Sequence, residues 1–257
     1  MKFYKSICIE LLFKMPSLFF GFFLCSISIL LALYSKLGMS PWDVFHMGIV
    51  NHSIFSLGQV TQIVGLGIIL LSIFLGVIPG IGSVFNMFFV GIFVDLMNNT
   101  GIFRTPQNIT GKILMLILSI ILMGISTYFY LRVELGAGPR DGLMEGLVKK
   151  LNKPVWLIRG SMEITVLIIG FFLGGPAGIG TLISAVGIGP AVEFAFRIGK
   201  YDSKNTHHMN FIDLYRNIKG ADNKLEKKCK EQILNNVQME KSISYKQTPS
   251  EPKKHLI

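Results

Sequence analysis

Asp43 and His46 stand three residues apart in the stretch SPWDVFHMGI, directly after a long apolar run. One helical turn of spacing puts both side chains on one face, and a carboxylate beside an imidazole can pass protons near neutral pH. Asp141 stands in a second copy of that stretch, GPRDGLMEGL, with Met144 at the histidine's place. Further along, Glu163 follows Arg159 by four residues, the spacing that pairs an acid and a base on one helix face. Asp95 and Glu193 fall near the ends of two other apolar runs, and Asn86 lies inside one of them. Ionisable groups inside apolar spans are costly, and they mark solute or proton paths. Asp43, Asp141, Arg159, Glu163 and Asn86 are therefore candidate substrate contacts, and His46, Asp95 and Glu193 candidate members of a proton relay.

Each residue also has a plainer use. Asp43 and Asp141 suit the first turn of a helix, where the helix dipole favours an anion. Arg159 and Glu163 can offset each other's charge, Asp95 and Glu193 can sit at the interface, and Asn86 can hydrogen-bond between helices. Trp42 and Trp156 fall where an aromatic belt is expected. No Walker motif, H-E-x-x-H, G-x-S-x-G or zinc spacing occurs, so neither an enzyme nor a metal or other cofactor is expected. The three cysteines form no C-x-x-C pair, and His207–His208 stands alone.

These residues need a scaffold, and charge distribution indicates which kind. The chain is 51% hydrophobic and 16% charged, and residues 199–257 hold twelve of its 25 Lys and Arg. A membrane body with a basic tail accounts for the net charge of +10, and no nucleic-acid partner is implied. Six runs are long and apolar enough to cross a bilayer: residues 16–35, 57–75, 80–97, 113–131, 160–173 and 178–196. The expected organisation is a membrane domain over 1–198 and a largely disordered cytoplasmic tail over 199–257.

Shifting the chain by 98 residues lays Leu33–Met97 on Leu131–Ala195 without a gap. Gly38, Pro41 and Asp43 fall on Gly136, Pro139 and Asp141, and Gly80 and Gly82 on Gly178 and Gly180. Chance similarity between apolar runs would match Leu and Ile; this one matches Gly, Pro and acids, so it marks a duplication. The glycines and prolines are structural candidates: Gly38 and Gly136 for a positive φ at a helix end, Pro41 and Pro139 for the first turn of a short helix. That helix would lie in the interface or dip partway into the bilayer. The units are about 15–97 and 112–197. Three spans per unit is an odd number, so the second must enter the membrane inverted. Lys2, Lys5 and Lys14 put the N-terminus in the cytoplasm, and six spans return the C-terminus there with Lys149, Lys150, Lys153 and the tail. The expected fold is all-α and polytopic, six transmembrane helices forming two inverted three-helix repeats.

The combination of GMSPWDVFHMGI, PGIGSVFNMFFVGIFVDL, LGAGPRDGLMEGL and GPAGIGTLISAVGIGPAVE resembles the YczE/YyaS/YitT group of bacterial integral membrane proteins, over roughly residues 15–198. The resemblance implies a plasma-membrane location and carries over no substrate or catalytic residue. Inverted repeats with Gly/Pro-broken segments suit a secondary transporter whose site lies between the halves. The expected function is therefore transport of a small molecule, with protons as a coupling ion. The competing expectation is a non-transporting scaffold or regulator acting through the tail. The bilayer is the expected partner, beside an unidentified small-molecule substrate, with room for a homo-oligomer.

Overall fold

A computed structural model describes the backbone of residues 2–136, 138–201, 209–213 and 216, and side chains from Leu12 onward within that set. Expectations about the rest of the tail, His207–His208 included, lie outside the described residues. The compact unit considered below runs from Glu10 to Ile212.

Eight helices follow one another: α1 (Lys2–Ser35), α2 (Pro41–Val50), α3 (Leu57–Phe74), α4 (Ile81–Asn99), α5 (Ile109–Leu131), α6 (Pro139–Leu151), α7 (Val155–Phe172) and α8 (Ile179–Ile198). No strand occurs among the described residues. Six of the helices, all but α2 and α6, are long and apolar enough to cross a membrane. The 10 residues of α2 rise about 15 Å, half of the roughly 30 Å hydrocarbon core, so this helix cannot span it.

The starts of α2, α3 and α4 recur at those of α6, α7 and α8 with the spacing of the duplicated sequence. Local chemistry sets these starts. Pro41 and Pro139 each supply a preset φ at the first position of a short helix. Gly38 at φ +119° and Gly136 at +131° turn the chain into it, a conformation that costs a residue with a Cβ. The span beginning at Val155 starts earlier than position 160, the expected boundary: it begins directly after Pro154, whose fixed φ leads into the helix, and Arg159 pairs with Glu163 inside it.

The packing is that of a membrane bundle. Large side chains such as Leu66, Leu70, Ile117, Ile121, Ile164 and Ile168 point outward. The interior carries Ser26, Ser28, Ser119, Ser126, Thr181 and Ser184 beside a cluster of Leu18, Phe22, Leu30, Val44, Val90 and Val94. Small residues let helices approach and hydrogen-bond where lipid offers no hydrophobic drive. Along α1 and α5, Gly21 lies against Ser126 and Tyr130, Cys25 Sγ is 3.9 Å from Met123 Sδ, and Ser28 Oγ donates to Ser119 O at 2.7 Å. Rising numbers on α1 meet falling numbers on α5, so these helices run in opposite directions.

Candidate functional site

The two short helices begin beside one another. Ser40 caps α2, its Oγ accepting from Asp43 N and donating to Asp43 Oδ2 at 2.5 Å. The carboxylate is buried, and its other oxygen faces Arg140 Nη2 and His46 Nδ1, each at 3.9 Å. The Arg140 guanidinium lies over the Trp42 ring, 4.8 Å from its centroid. Trp42 is accordingly buried and not part of an aromatic belt; Trp156 is 74% exposed. The hydroxyl of Thr61 on α3 lies 3.4 Å from His46 Nδ1.

Burial pushes the Asp43 carboxyl above the ordinary carboxylate range, opposed by the Arg140 guanidinium and the Ser40 hydroxyl. Burial, with Arg140 adding to it, pushes His46 well below its ordinary value. His46 is thus held toward its neutral form and Asp43 toward its protonated form.

Main-chain bonds clasp the surroundings reciprocally. Gly180 N donates to Leu37 O at 2.8 Å, and Gly82 N donates to Leu135 O at 2.7 Å. Each turn that opens α4 or α8 therefore docks on the segment before the other copy's short helix. Gly80 and Gly178 carry the same docking: a Cβ on either would lie within 2.5 Å of Leu135 O or Leu37 O, respectively. Beside the α6 start is a cavity of about 390 Å³, walled by Ser72, the 76–80 turn, Ser83, Gly136, Gly138, Pro139, Gly142, Glu145 and Lys149. Met209 and Asn210 complete its wall, held by Met209 N donating to Glu134 O at 2.8 Å and Phe211 N to Pro79 O at 3.2 Å.

The structure thus gathers Asp43, His46 and the first turn of α6, where Asp141 is half-buried near Tyr130 over Gly138. The other candidates sit apart from this group. Arg159 Nε and Glu163 Oε1 pair at 3.4 Å, with the guanidinium largely exposed. Glu193 pairs with Arg197 at 2.6 Å on an exposed face. Asp95 accepts from the Ser56 hydroxyl and, at 2.9 Å, from Gly58 N, so it ties the end of α4 to the start of α3. Asn86 is half-buried on α4. Arg140, Trp42 and Ser40 were missed as site residues. The signal was their place in the duplicated turn: Arg140 falls on Trp42, beside the aspartate that both copies keep.

A polytopic helical membrane protein with a buried acid facing a partly exposed guanidinium between its duplicated parts is the class these features define. Residues 12–197 match the family of unknown function DUF6198, and the chain belongs to it. It is 34% identical over 188 residues to the uncharacterized membrane protein YczE of Bacillus subtilis strain 168, covering 72% of this chain and 86% of that one. An uncharacterized protein of Haemophilus influenzae is 33% identical over 168 residues, 65% of this chain and 76% of its own. The B. subtilis protein YyaS is 24% identical over 170 residues, 64% and 83% of the two chains. No solved structure matches. Met209 and Asn210 lie beyond the family's matched region.

Proposed function

We propose that the protein is a proton-coupled secondary transporter of a small polar solute, built from two inverted repeats with both termini in the cytoplasm. The observation that carries this reading is the buried Asp43, held across the repeat interface by Arg140 beside a cavity of about 390 Å³. A carboxyl with a raised proton affinity and a competing guanidinium can exchange one partner for another. Protonation of Asp43 frees Arg140 to meet an anionic or polar solute group, and deprotonation draws it back. The opposite running of α1 and α5, which are repeat equivalents, supports the inversion, as do the reciprocal contacts of Leu37 with Gly180 and Leu135 with Gly82. The lysines at 149, 150 and 153 support the orientation.

The test is reconstitution into liposomes loaded with a pH-sensitive dye. Amino acids, small carboxylates, small amines and sugars are then applied in turn. At least one class should drive proton movement above that of empty vesicles, and D43N and R140A should abolish it. Dye signals equal to those of empty vesicles for every class would overturn the reading.

A further inference from the structure

The repeats meet along two equivalent seams, and the seams differ. At the first, α6 faces the end of α3: a Cβ on Gly146 would fall 2.7 Å from Leu75 Cβ, as one on Gly48 would from Leu173 Cβ at the second, but one on Gly142 would sit 3.6 Å from Ser72 Oγ and 4.0 Å from Val77 Cγ1, ordinary contact, and the cavity opens there. At the second, α2 faces the end of α7, with Gly170 and Gly175 at the places of Ser72 and Val77. There the α2 backbone rests on the glycines. A Cβ on Gly175 would fall 2.1 Å from Val44 O, and one on Gly170 would fall 2.6 Å from Phe45 N. Asn51 Nδ2 fastens this seam by donating to Gly174 O at 2.8 Å.

The equivalent places differ in what meets the glycine. The shut seam sets the Val44 and Phe45 backbone on Gly170 and Gly175; the open seam sets Gly142, at Val44's place, at ordinary contact with the Ser72 and Val77 side chains. A bare glycine on one side of each seam is what lets the facing element approach closely. The open seam can close as the other does.

We infer that the two seams are alternate entrances to the Asp43 centre, the α3–α6 entrance open here and the α2–α7 entrance shut on Gly170 and Gly175. This rests on the transport reading, in which inversion places the entrances on opposite membrane faces. Movement of α2 off Gly175 opens the second entrance while α6 settles on Ser72 and Val77.

Thiol accessibility tests this. In a background with Cys8, Cys25 and Cys229 replaced by alanine, G142C or V44C is exposed to a membrane-impermeant methanethiosulfonate in right-side-out and inverted vesicles. G142C should react from the cytoplasmic face, and V44C at least tenfold more slowly from either face. Adding G175V, which wedges the shut seam, should speed V44C labelling at least tenfold from the outer face and slow that of G142C. N51A removes the fastening without a wedge and should shift both rates the same way, more weakly, so the test survives if G175V does not fold. Labelling of both thiols from one face, or rates that rise together or stay unchanged in G175V and N51A, would overturn the inference. Alternating labels without solute-driven proton movement would sink only the transport reading; solute movement with both thiols on one face would sink only the alternation.

Discussion

Trp42 and Arg140 occupy the same place in the two copies of the duplicated turn, and they stack on each other 4.8 Å apart. A strictly symmetric pair would have set Trp on Trp or Arg on Arg. Duplication followed by divergence has instead made one cation–π contact out of two equivalent positions. The stack brings Arg140 to Asp43, whose own equivalent, Asp141, has no arginine at the corresponding place in the first copy.

Exchange of the two residues tests that relationship. W42R alone sets two guanidiniums together and should destabilise the protein by about 0.5–1 kcal/mol, the scale of a cation–π contact whose cation is partly exposed. The double exchange W42R/R140W rebuilds the stack with its partners reversed and directs the guanidinium to Asp141. Thermal melts in detergent should show the double variant recovering most of the single variant's loss; a double variant at least as unstable as W42R would contradict the equivalence.

Proton uptake at Asp43 should be visible through Trp42. In W156F, Trp42 is the remaining tryptophan. Asp43's pKa is raised, so the carboxyl takes its proton at a higher pH than a free carboxyl of about 4. As pH falls through that point Arg140 loses its anion and the Trp42 emission should change, His46 remaining neutral well below its usual range. A midpoint at or below the ordinary carboxylate value, or the same transition in D43N, would refute this.

Helix approach at Gly58 and Gly91 should tolerate no Cβ. An added Cβ would lie 2.1 Å from Gly91 O in one case and 2.5 Å from Gly58 O in the other. G58A or G91A should cost about 1–3 kcal/mol through overpacking. Nothing lies within 4 Å of a Cβ built on Gly67 or Gly160, so G67A and G160A should leave stability unchanged or raise it by up to about 1 kcal/mol. Melting temperatures of the four variants decide the matter.

Asp95 and Glu193 should diverge although they are repeat equivalents. D95A strips two donors at the start of α3 of their acceptor and should cost about 1–2 kcal/mol, with faster amide exchange at Gly58. E193A removes an exposed pair with Arg197 and should cost no more than about 0.5 kcal/mol. Equal losses in calorimetry would mean that Glu193 has a role its surroundings do not explain.

Much of the fold was readable because lipid imposes length: six apolar runs long enough to cross correspond to six helices. The duplicated turn was equally plain, since Gly38, Pro41 and Asp43 match Gly136, Pro139 and Asp141 in residues that apolar chance does not conserve. The centre was half legible. Asp43 and His46 stood out as charges in apolar surroundings, whereas Arg140 lies in a segment that Lys149 and Lys150 already make basic. Only contact between the copies turns it inward, and a one-dimensional pattern does not say which copies touch. Glu163 attracted attention as an intramembrane acid, yet a four-residue step from Arg159 satisfies it on its own helix.

The bonds from Gly180 N to Leu37 O and from Gly82 N to Leu135 O have a consequence for biogenesis. The ribosome delivers Gly82 long before Leu135, so the amide that opens α4 waits for a carbonyl not yet synthesised. Leu37 O waits longer still, for Gly180. Neither copy can complete itself, and the nascent first unit leaves the translocon with two open bonds that only its late-born twin closes.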